Sequence, residues 1–178
     1  MNKFIIILDG PMGSGKSTIG ALLAKRLKRT ALVNEDRIKW FISDFRRSKR
    51  DNAIVRAVFI EMCKTYLKQD ISLVITQGFL KNKRPLSTFV AMARKNNFKL
   101  FVYHLNAPRK VLLQRIKSRK KSKDAKTPIA KSRIERNIRM WNKNRYTIGK
   151  EFQTDKTTPK RIATEILKDI RTSPNHKI

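Results

Sequence analysis

The stretch that decides the fold runs from Phe4 to Leu27 and reads FIIILDGPMGSGKSTIGALLAKRL. Its first five residues are apolar and β-prone, which predicts a strand over 4–8 that is buried on both faces. A glycine-rich turn follows. Apolar residues then recur every three or four positions, which predicts a helix over 16–29. A turn of this composition between two well-patterned elements indicates that something other than a protein core contacts its backbone.

Residues 10–17, GPMGSGKS, match the phosphate-loop pattern G-x-x-x-x-G-K-[ST] at every fixed position. Gly10, Gly13 and Gly15 permit backbone dihedrals and a close approach that a side chain would block. The exposed N–H groups then form an anion nest at the positive end of the helix. Lys16 can reach the β- and γ-phosphates of a nucleotide, and the Ser17 hydroxyl can ligate Mg²⁺. The predicted nucleotide-binding residues are Gly10, Pro11, Met12, Gly13, Ser14, Gly15, Lys16, Ser17 and Thr18.

Short apolar runs alternate with amphipathic segments along the rest of the chain. Further strands are predicted at 31–34, 72–76, 99–105 and 150–154. Helices are predicted at 36–48, 53–68, 85–96, around 111–116, from Pro128 through the stripe Ile134, Ile138 and Trp141, and at 158–170. This alternation indicates an α/β protein with a parallel sheet and right-handed crossovers. Its site is expected at the carboxyl ends of the strands.

The charge of the chain is strongly positive, with 43 Lys and Arg against 13 Asp and Glu and a net charge of +30. Such a field attracts polyanions, which include nucleotides, nucleic acid and acidic membranes. A compositional bias toward lysine explains the same number equally well. The charge alone therefore names no partner.

The single cysteine, Cys63, excludes an intramolecular disulfide and lies within an apolar helical pattern. We interpret it as a buried structural thiol. His104, inside a predicted strand, is interpreted as a packing residue. The apolar run 4–8 is too short for a signal peptide or a membrane span, so we expect a cytoplasmic protein without a membrane partner.

The stretch VNEDR places Glu35 and Asp36 at the carboxyl end of the second predicted strand, facing the same crevice as the phosphate loop. A carboxylate there can accept a proton from an acceptor hydroxyl, or hold Mg²⁺ through water. Arg37 and Lys39 could fix an anionic acceptor. Asp36 could also simply cap the helix that it begins, and the two roles are compatible.

The basic tract 117–127 contains no apolar residue except Ala125 and is predicted to be a mobile, solvated loop. Arg115 and Arg119, four residues apart, share one helical face just before it. Arginines that close over a triphosphate can neutralise charge on the transferring group, and the tract would then be a lid over about 117–128 that excludes water. A solvated basic helix end is the alternative.

With these residues in place, the chain resembles the small P-loop kinases of the AAA-type and polynucleotide-kinase-like group, and also shikimate and nucleoside-monophosphate kinases. The resemblance rests on GPMGSGKSTIGALLAKRL, on VNEDR and on NAPRKVLLQRIKSR, and it spans nearly the whole chain. It implies a three-layer αβα domain over 1–178, a five-stranded parallel sheet of order 2-3-1-4-5 and a small basic lid. It also implies ATP as donor, Mg²⁺ as metal, Asp36 as general base, and Arg115 and Arg119 as lid arginines.

Two functions stay open at this point. The first is an ATP-dependent kinase that phosphorylates a hydroxyl or phosphate acceptor, such as a polynucleotide 5′-hydroxyl, a nucleotide or a small metabolite. The second is a nucleic-acid-binding P-loop ATPase without a dedicated acceptor, which Gln77 at the end of the third predicted strand and the basic helix over 128–145 favour mildly. A motor ATPase, in contrast, usually has an acid at the place of Gln77 to hold Mg²⁺ and order water.

Overall fold

The computed structural model describes residues 3–77, 84–118, 130–144 and 147–172. The strands are β1 (Phe4–Asp9), β2 (Thr30–Val33), β3 (Ser72–Ile75), β4 (Lys99–Asn106) and β5 (Lys150–Gln153). The helices are α1 (Lys16–Ala24), α2 (Glu35–Ile38), α3 (Lys49–Lys68), α4 (Arg84–Asn96), α5 (Arg109–Ser118), α6 (Lys131–Asn144) and α7 (Pro159–Thr172), with a 3₁₀ helix at Lys39–Phe41. None of the helices in these ranges combines the length and the apolar character needed to cross a bilayer.

The five strands form one parallel sheet of order β2-β3-β1-β4-β5, as the resemblance implied. β1 lies at the centre, where Ile6 pairs with Val74 of β3 on one side and with Phe101 of β4 on the other. All six residues of β1 are buried, which explains its unbroken apolar run. Because all the strands are parallel, their carboxyl ends meet at one edge of the sheet, where the phosphate loop begins.

Helices cover both faces of the sheet and give the three layers expected. On one face, α3 and α4 pack through residues such as Phe59, Cys63 and Phe89. On the other face, α1 and α7 pack through Ile19, Ile166 and their neighbours. Cys63 is fully buried in this core, which confirms that it is a buried thiol, and burial raises the pKa of the thiol to about 12.

A third, smaller apolar cluster lies beside the phosphate loop. It joins α5, through Leu112, to α6, through Ile134 and Ile138, and Met12 of the loop packs against it. The predicted stripe on the basic helix is therefore a packing face directed at the loop. The first two residues of the predicted mobile tract, 117 and 118, belong to α5, which runs to Ser118. The rest of the predicted lid lies outside the described residues, and so does Pro128, the predicted start of the basic helix.

The predicted helix over 36–48 is wrong. Asn34, whose side chain accepts a hydrogen bond of 2.7 Å from the Asp36 N–H, is the cap, so the helix starts one residue earlier and Asp36 is not the capping residue. It lasts four residues and one 3₁₀ turn before Ile42 becomes extended. The apolar spacing is used in part. Ile38 at the end of α2, and Ile42 and Phe45 in the irregular segment after it, pack against the core, whereas Phe41 is exposed.

Other helix boundaries also differ from those predicted. α1 ends at Ala24 rather than near Arg29. α3 begins at Lys49 rather than Ala53, because the Ser48 hydroxyl accepts a hydrogen bond of 2.9 Å from the Asp51 N–H.

Two glycines allow unusually close packing. A Cβ on Gly20 of α1 would lie 2.3 Å from Thr76 Cγ2 and 3.0 Å from Leu32 Cδ1, so the helix contacts the sheet at this point through its backbone. Gly149, with φ +116°, precedes β5, and a Cβ there would lie 2.7 Å from the Val102 carbonyl oxygen and 3.1 Å from His104 Nε2.

Candidate phosphate-binding site

The phosphate loop leaves β1 through three glycines in backbone conformations that L-residues rarely adopt. Gly10, Gly13 and Gly15 have φ of +153°, +84° and +95°. A Cβ on Gly10 would lie 2.3 Å from the Leu105 carbonyl oxygen, and one on Gly13 would lie 2.8 Å from the Leu112 carbonyl oxygen. The loop is thus pressed between β4 and α5, and glycine is required on its inner side.

The N-terminus of α1 is built to receive an anion. Gly15 is its N-cap, and within the described residues no side chain caps the first turn. The first turn also contains no acid, although acids usually favour that position. A helix N-terminus with neither a side-chain cap nor an acid suits an anionic ligand such as a phosphate. The side chains of Ser17 and Thr18 are exposed beside them.

Lys16 lies folded over the loop. Its Nζ donates hydrogen bonds to the carbonyl oxygens of Gly10, at 2.7 Å, and Pro11, at 2.8 Å. A full positive charge is thereby held at the mouth of the loop, next to the helix N-terminus. The loop backbone, the uncapped helix and this ammonium together fit the phosphates of a nucleotide.

A buried carboxylate lies directly under the loop. Asp9, the last residue of β1, is 1% exposed. Its Oδ2 accepts a hydrogen bond of 3.1 Å from Trp141 Nε1 of α6 and lies 3.4 Å from His104 Nδ1 of β4. His104 Nε2 in turn lies 2.8 Å from the Ile148 carbonyl oxygen, which can only accept a hydrogen bond, so Nε2 donates.

This arrangement favours the charged imidazolium of His104. Burial disfavours the charge, but Asp9, the Ile148 carbonyl and Glu151 together outweigh it, and the pKa of His104 is raised above its usual 6.5. His104 is buried, as its interpretation as a packing residue implied, but it is also electrostatically coupled to the strand that carries the loop. The signal for Asp9 was present in the sequence as an acid that ends an apolar strand immediately before the motif.

Asn137 is a contact of the loop that the sequence did not reveal. Its Oδ1 accepts a hydrogen bond of 2.8 Å from the Met12 N–H, across 125 residues of sequence. Asn137 lies on the same face of α6 as Ile134, Ile138 and Trp141, so its position inside an apolar stripe was the available signal. The helix α6 therefore holds the loop at Met12 and, through Trp141, at Asp9.

The two acids after β2 have different environments. Glu35 is buried, and its carboxylate is held by Arg56, with Nη2 at 3.0 Å, and by Gln77 Nε2 at 2.5 Å. Gln77 Oε1 also accepts a hydrogen bond of 3.0 Å from the Glu35 N–H, so Gln77 binds both the backbone and the carboxylate of Glu35. The Asp36 side chain is 70% exposed and pairs with Lys39. Of the two carboxylates, Asp36 is the one accessible to a ligand from solvent.

Arg115 is held against the loop rather than extended into solvent. Its Nη1 and Nη2 donate to Thr154 Oγ1, at 2.8 Å, and to the Thr154 carbonyl oxygen, at 2.6 Å. Nη1 also lies 3.4 Å from the Gly13 carbonyl oxygen. Arg115 thus connects α5 and the loop to the turn after β5. Arg119, its predicted partner, lies outside the described residues.

For the metal, the sequence predicted Ser17 and Asp36 as ligands. Both side chains are exposed at the carboxyl edge of the sheet, after β1 and β2 respectively. Within the described ranges, no three His, Cys, Asp or Glu side chains converge to form a metal cage of their own. A hydroxyl and one acid at the same edge of the sheet would suit Mg²⁺, which commonly keeps waters and takes its other ligands from the phosphates of a substrate.

Comparisons with known proteins agree with this architecture. Residues 5–143 match the family model described as "AAA domain". The tunicamycin resistance protein of Deinococcus radiodurans superposes with a TM-score of 0.66 at 14% identity, over 95% of this chain and 96% of that one. The APS kinase CysC of Mycobacterium tuberculosis, solved with AMPPNP and APS, gives a TM-score of 0.66 at 13% identity, over 97% and 99%.

A third structure is a chain of the Pnkp1/Rnl/Hen1 RNA repair complex, with a TM-score of 0.67 at 21% identity over 80% of this chain and 45% of that one. No curated protein matches the sequence. At these identities the similarity establishes the fold, which is that of the small P-loop kinases.

Proposed function

Because the chain belongs to the AAA-domain family, we propose that it is an ATP-dependent phosphotransferase that moves the γ-phosphoryl group of ATP to a hydroxyl or phosphate acceptor. The observation that carries the proposal is the N-terminus of α1, which Gly15 leaves without a side-chain cap while Lys16 holds a positive charge across the loop. Neighbours of similar fold that are described as an APS kinase and a sugar kinase support phosphoryl transfer in general.

On the donor side, the loop N–H groups and Lys16 bind and orient the phosphates. Ser17, exposed at the start of α1, and Asp36, through water, would hold a Mg²⁺ ion, which would supply neutralisation of the charge that develops during transfer. Arg115 and Arg119 are proposed to neutralise charge on the transferring group. The contacts of Arg115 with Thr154 and Gly13 support a role in positioning the loop as well.

On the acceptor side, we assign the general base to Asp36. Its carboxylate is exposed at the same edge of the sheet as the loop, whereas Glu35 is committed to Arg56 and Gln77. A base must be accessible to the proton that it accepts from the attacking hydroxyl. Arg37, exposed next to it, would attract an anionic acceptor.

The assignment is tested with Asp36→Asn, assayed with Mg-ATP against 5′-hydroxyl oligonucleotides, nucleotides and small hydroxyl metabolites. We expect turnover to fall about 10²- to 10⁴-fold, the usual contribution of a general base, while ATP affinity stays unchanged. Asp70→Asn is the matched control, because Asp70 is also exposed and paired with a lysine, Lys3, but lies before β3 at the opposite edge. Normal turnover in Asp36→Asn would show that the base lies elsewhere.

The competing function is a nucleic-acid-stimulated ATPase without a dedicated acceptor. The exposed basic side chains of α6, Arg133, Arg136 and Arg139, favour it, because cations on one helix can contact the phosphates of a nucleic acid. ATP hydrolysis that needs no acceptor and rises on addition of RNA or DNA, with no labelled product in the acceptor panel, would support this function and refute the kinase.

A further inference from the structure

Two large aromatic side chains lie on the outside of the molecule. Trp40 is 59% exposed and Phe41 is 82% exposed, both on the 3₁₀ helix that follows α2. The other tryptophan, Trp141, is 1% exposed. Exposing two adjacent aromatic rings to water is unfavourable unless they have a partner.

The backbone that carries these rings is anchored from both sides. Ile38 before them is buried, and Ile42 and Phe45 after them pack against the core formed with α3 and α4. Asn34 fixes the start of the segment, because its Nδ2 donates to the carbonyl oxygen of Thr76 at 2.9 Å. The exposure of Trp40 and Phe41 is therefore a property of a fixed segment.

The segment lies at the edge of the sheet that carries the phosphate loop. It begins at the carboxyl end of β2, and β2, β3 and β1 are adjacent parallel strands. Asp36, the proposed base, is only four residues before Trp40. A ligand lying on the two rings would thus approach the site from the acceptor side.

The rings are flanked by positive charge. Residues 37–50 contain one acid, Asp44, and six basic residues: Arg37, Lys39, Arg46, Arg47, Lys49 and Arg50. Lys39 pairs with Asp36 and Arg46 pairs with Asp44, at 2.5 Å, so the local acids are already engaged. The remaining four basic side chains are exposed.

We propose that Trp40 and Phe41, with the basic side chains of 37–50, form a platform for single-stranded nucleic acid, whose bases stack on the rings while its phosphates meet the cations. Aromatic platforms beside basic grooves bind single strands of any sequence because every base has a π-face. The further idea that the bound strand supplies the acceptor hydroxyl rests on the proposed function. The binding of a single strand to the platform does not depend on the proposed function.

The first test is binding of a 5′-hydroxyl single strand of about ten nucleotides, DNA or RNA, without ATP. The double variant Trp40→Ala with Phe41→Ala is expected to bind about 5- to 150-fold more weakly for each base that loses its stacking partner. Ile148→Ala is the matched control, since Ile148 is a 48% exposed apolar side chain beside β5. β5 is the outer strand on the side of the sheet away from β2, after which the platform begins. Equal binding by the double variant and the wild type would overturn the platform.

Fluorescence locates the contact directly. Because the chain has two tryptophans and Trp141 is buried, stacking on Trp40 should quench the exposed, red-shifted part of the emission. Trp40→Phe should keep most of the affinity and lose that quenching. Undiminished quenching in Trp40→Phe would place the strand elsewhere.

The charges are tested by salt dependence. Arg37→Gln with Arg50→Gln should reduce the slope of log affinity against log salt by about 0.7 for each phosphate contact removed. Lys168→Gln with Arg171→Gln is the control, because these exposed basic residues lie in the last turns of α7, away from the loop edge. Identical slopes in both variants would refute the phosphate contacts.

Two other partners are distinguished in the same series. Binding of anionic phospholipid vesicles with a blue shift of Trp40, in the absence of oligonucleotide binding, would replace this proposal with a membrane surface. Concentration-dependent dimerisation that the double variant abolishes, again without oligonucleotide binding, would replace it with a second copy of the chain.

Duplex nucleic acid is a further test of the platform. Duplex bound as tightly as single strand would overturn the proposal, because paired bases cannot stack on the rings.

Failure of the platform and failure of the proposed function give different results. If the chain binds single strands through Trp40 but phosphorylates no acceptor, the platform is supported and the kinase function is refuted. If the chain phosphorylates a small metabolite, does not bind single strands and shows normal turnover in the double variant, the kinase function is supported and the platform is refuted.

Discussion

At the residue scale, Asp9 links three parts of the molecule through one carboxylate. It ends β1, accepts a hydrogen bond from Trp141 of α6, and faces His104 of β4. A buried carboxylate is costly to desolvate and depends on such partners. The glycines of the loop start at the very next residue, so the geometry of the phosphate site depends on this carboxylate keeping its place.

We predict that the stability contributed by His104 depends on pH. Its pKa is raised in the folded protein, above the usual 6.5, so its charge stabilises the fold fully below pH 6.5 and this stabilisation is lost as pH rises through the folded pKa. His104→Gln should therefore lower the free energy of unfolding most near pH 5.5–6, by about 1.5–3 kcal/mol, and less at alkaline pH. Urea unfolding of both proteins across this range measures the difference, and a difference that does not change with pH would contradict the coupling.

At the element scale, the backbone of α1 packs directly against the sheet at Gly20, because glycine has no side chain to hold the two apart. The methyl group that a Cβ would meet belongs to Thr76, which is 4% exposed and whose Oγ1 accepts a hydrogen bond of 3.1 Å from Asn34 Nδ2. Threonine is stiff at χ1, so this methyl group cannot move aside without breaking that bond. The anchor of the segment after β2 therefore depends on a glycine in α1.

Gly20→Ala is expected to destabilise the protein by about 1–3 kcal/mol, because overpacking outweighs the gain of up to about 1 kcal/mol in helix propensity. Thr76→Ser removes the opposing methyl group and keeps the hydroxyl. The double variant should therefore recover part of the loss, with a coupling energy of about 0.5–3 kcal/mol in a thermal or urea double-mutant cycle. Strictly additive effects would show that the methyl group is not the obstacle.

The elements themselves were largely predictable from local pattern. The buried strands and the phosphate loop followed from short apolar runs and from a motif with fixed spacing. The predicted helix over 36–48 failed because the chain after Phe41 is irregular, with Asp44 and Arg47 at left-handed φ of +56° and +58°. Ile38, Ile42 and Phe45 pack against the core while Phe41 is exposed, so the apolar spacing fixed neither the backbone nor every buried side chain.

The site was predictable only where it is local in sequence. The loop residues follow one another, so a motif finds them. The contacts that hold the loop join Met12 to Asn137, Asp9 to Trp141 and Gly13 to Arg115, across 125, 132 and 102 residues. Such pairs depend on how helices pack across the sheet, which a single sequence does not record.

At the scale of the whole molecule, the net charge of +30 affects the stability of the fold. Many like charges on a compact surface repel one another, and unfolding relieves this repulsion. Several local ion pairs offset it only in part, because most are exposed, such as Lys3–Asp70 and Lys64–Glu61.

Added sodium chloride should therefore stabilise the protein. Raising it from about 10 mM to about 500 mM shortens the Debye length from about 30 Å to a few ångströms. We expect a gain on the order of 1 kcal/mol, or about 2–4 °C in Tm for a chain of this size. Scanning calorimetry without nucleotide measures it. A Tm that falls with salt would mean that attractive pairs dominate the surface.

The glycine before β5 has a consequence for the history of the sequence. A side chain at position 149 would lie 3.1 Å from His104 Nε2, in the space where the imidazole meets the Ile148 carbonyl. A Cβ there would also lie 2.7 Å from the Val102 carbonyl oxygen, and the φ of +116° is one that L-residues rarely adopt. Evolution is therefore held to glycine at position 149 by the backbone of β4 itself, whichever side chain stands at 104, although the position lies outside the phosphate motif.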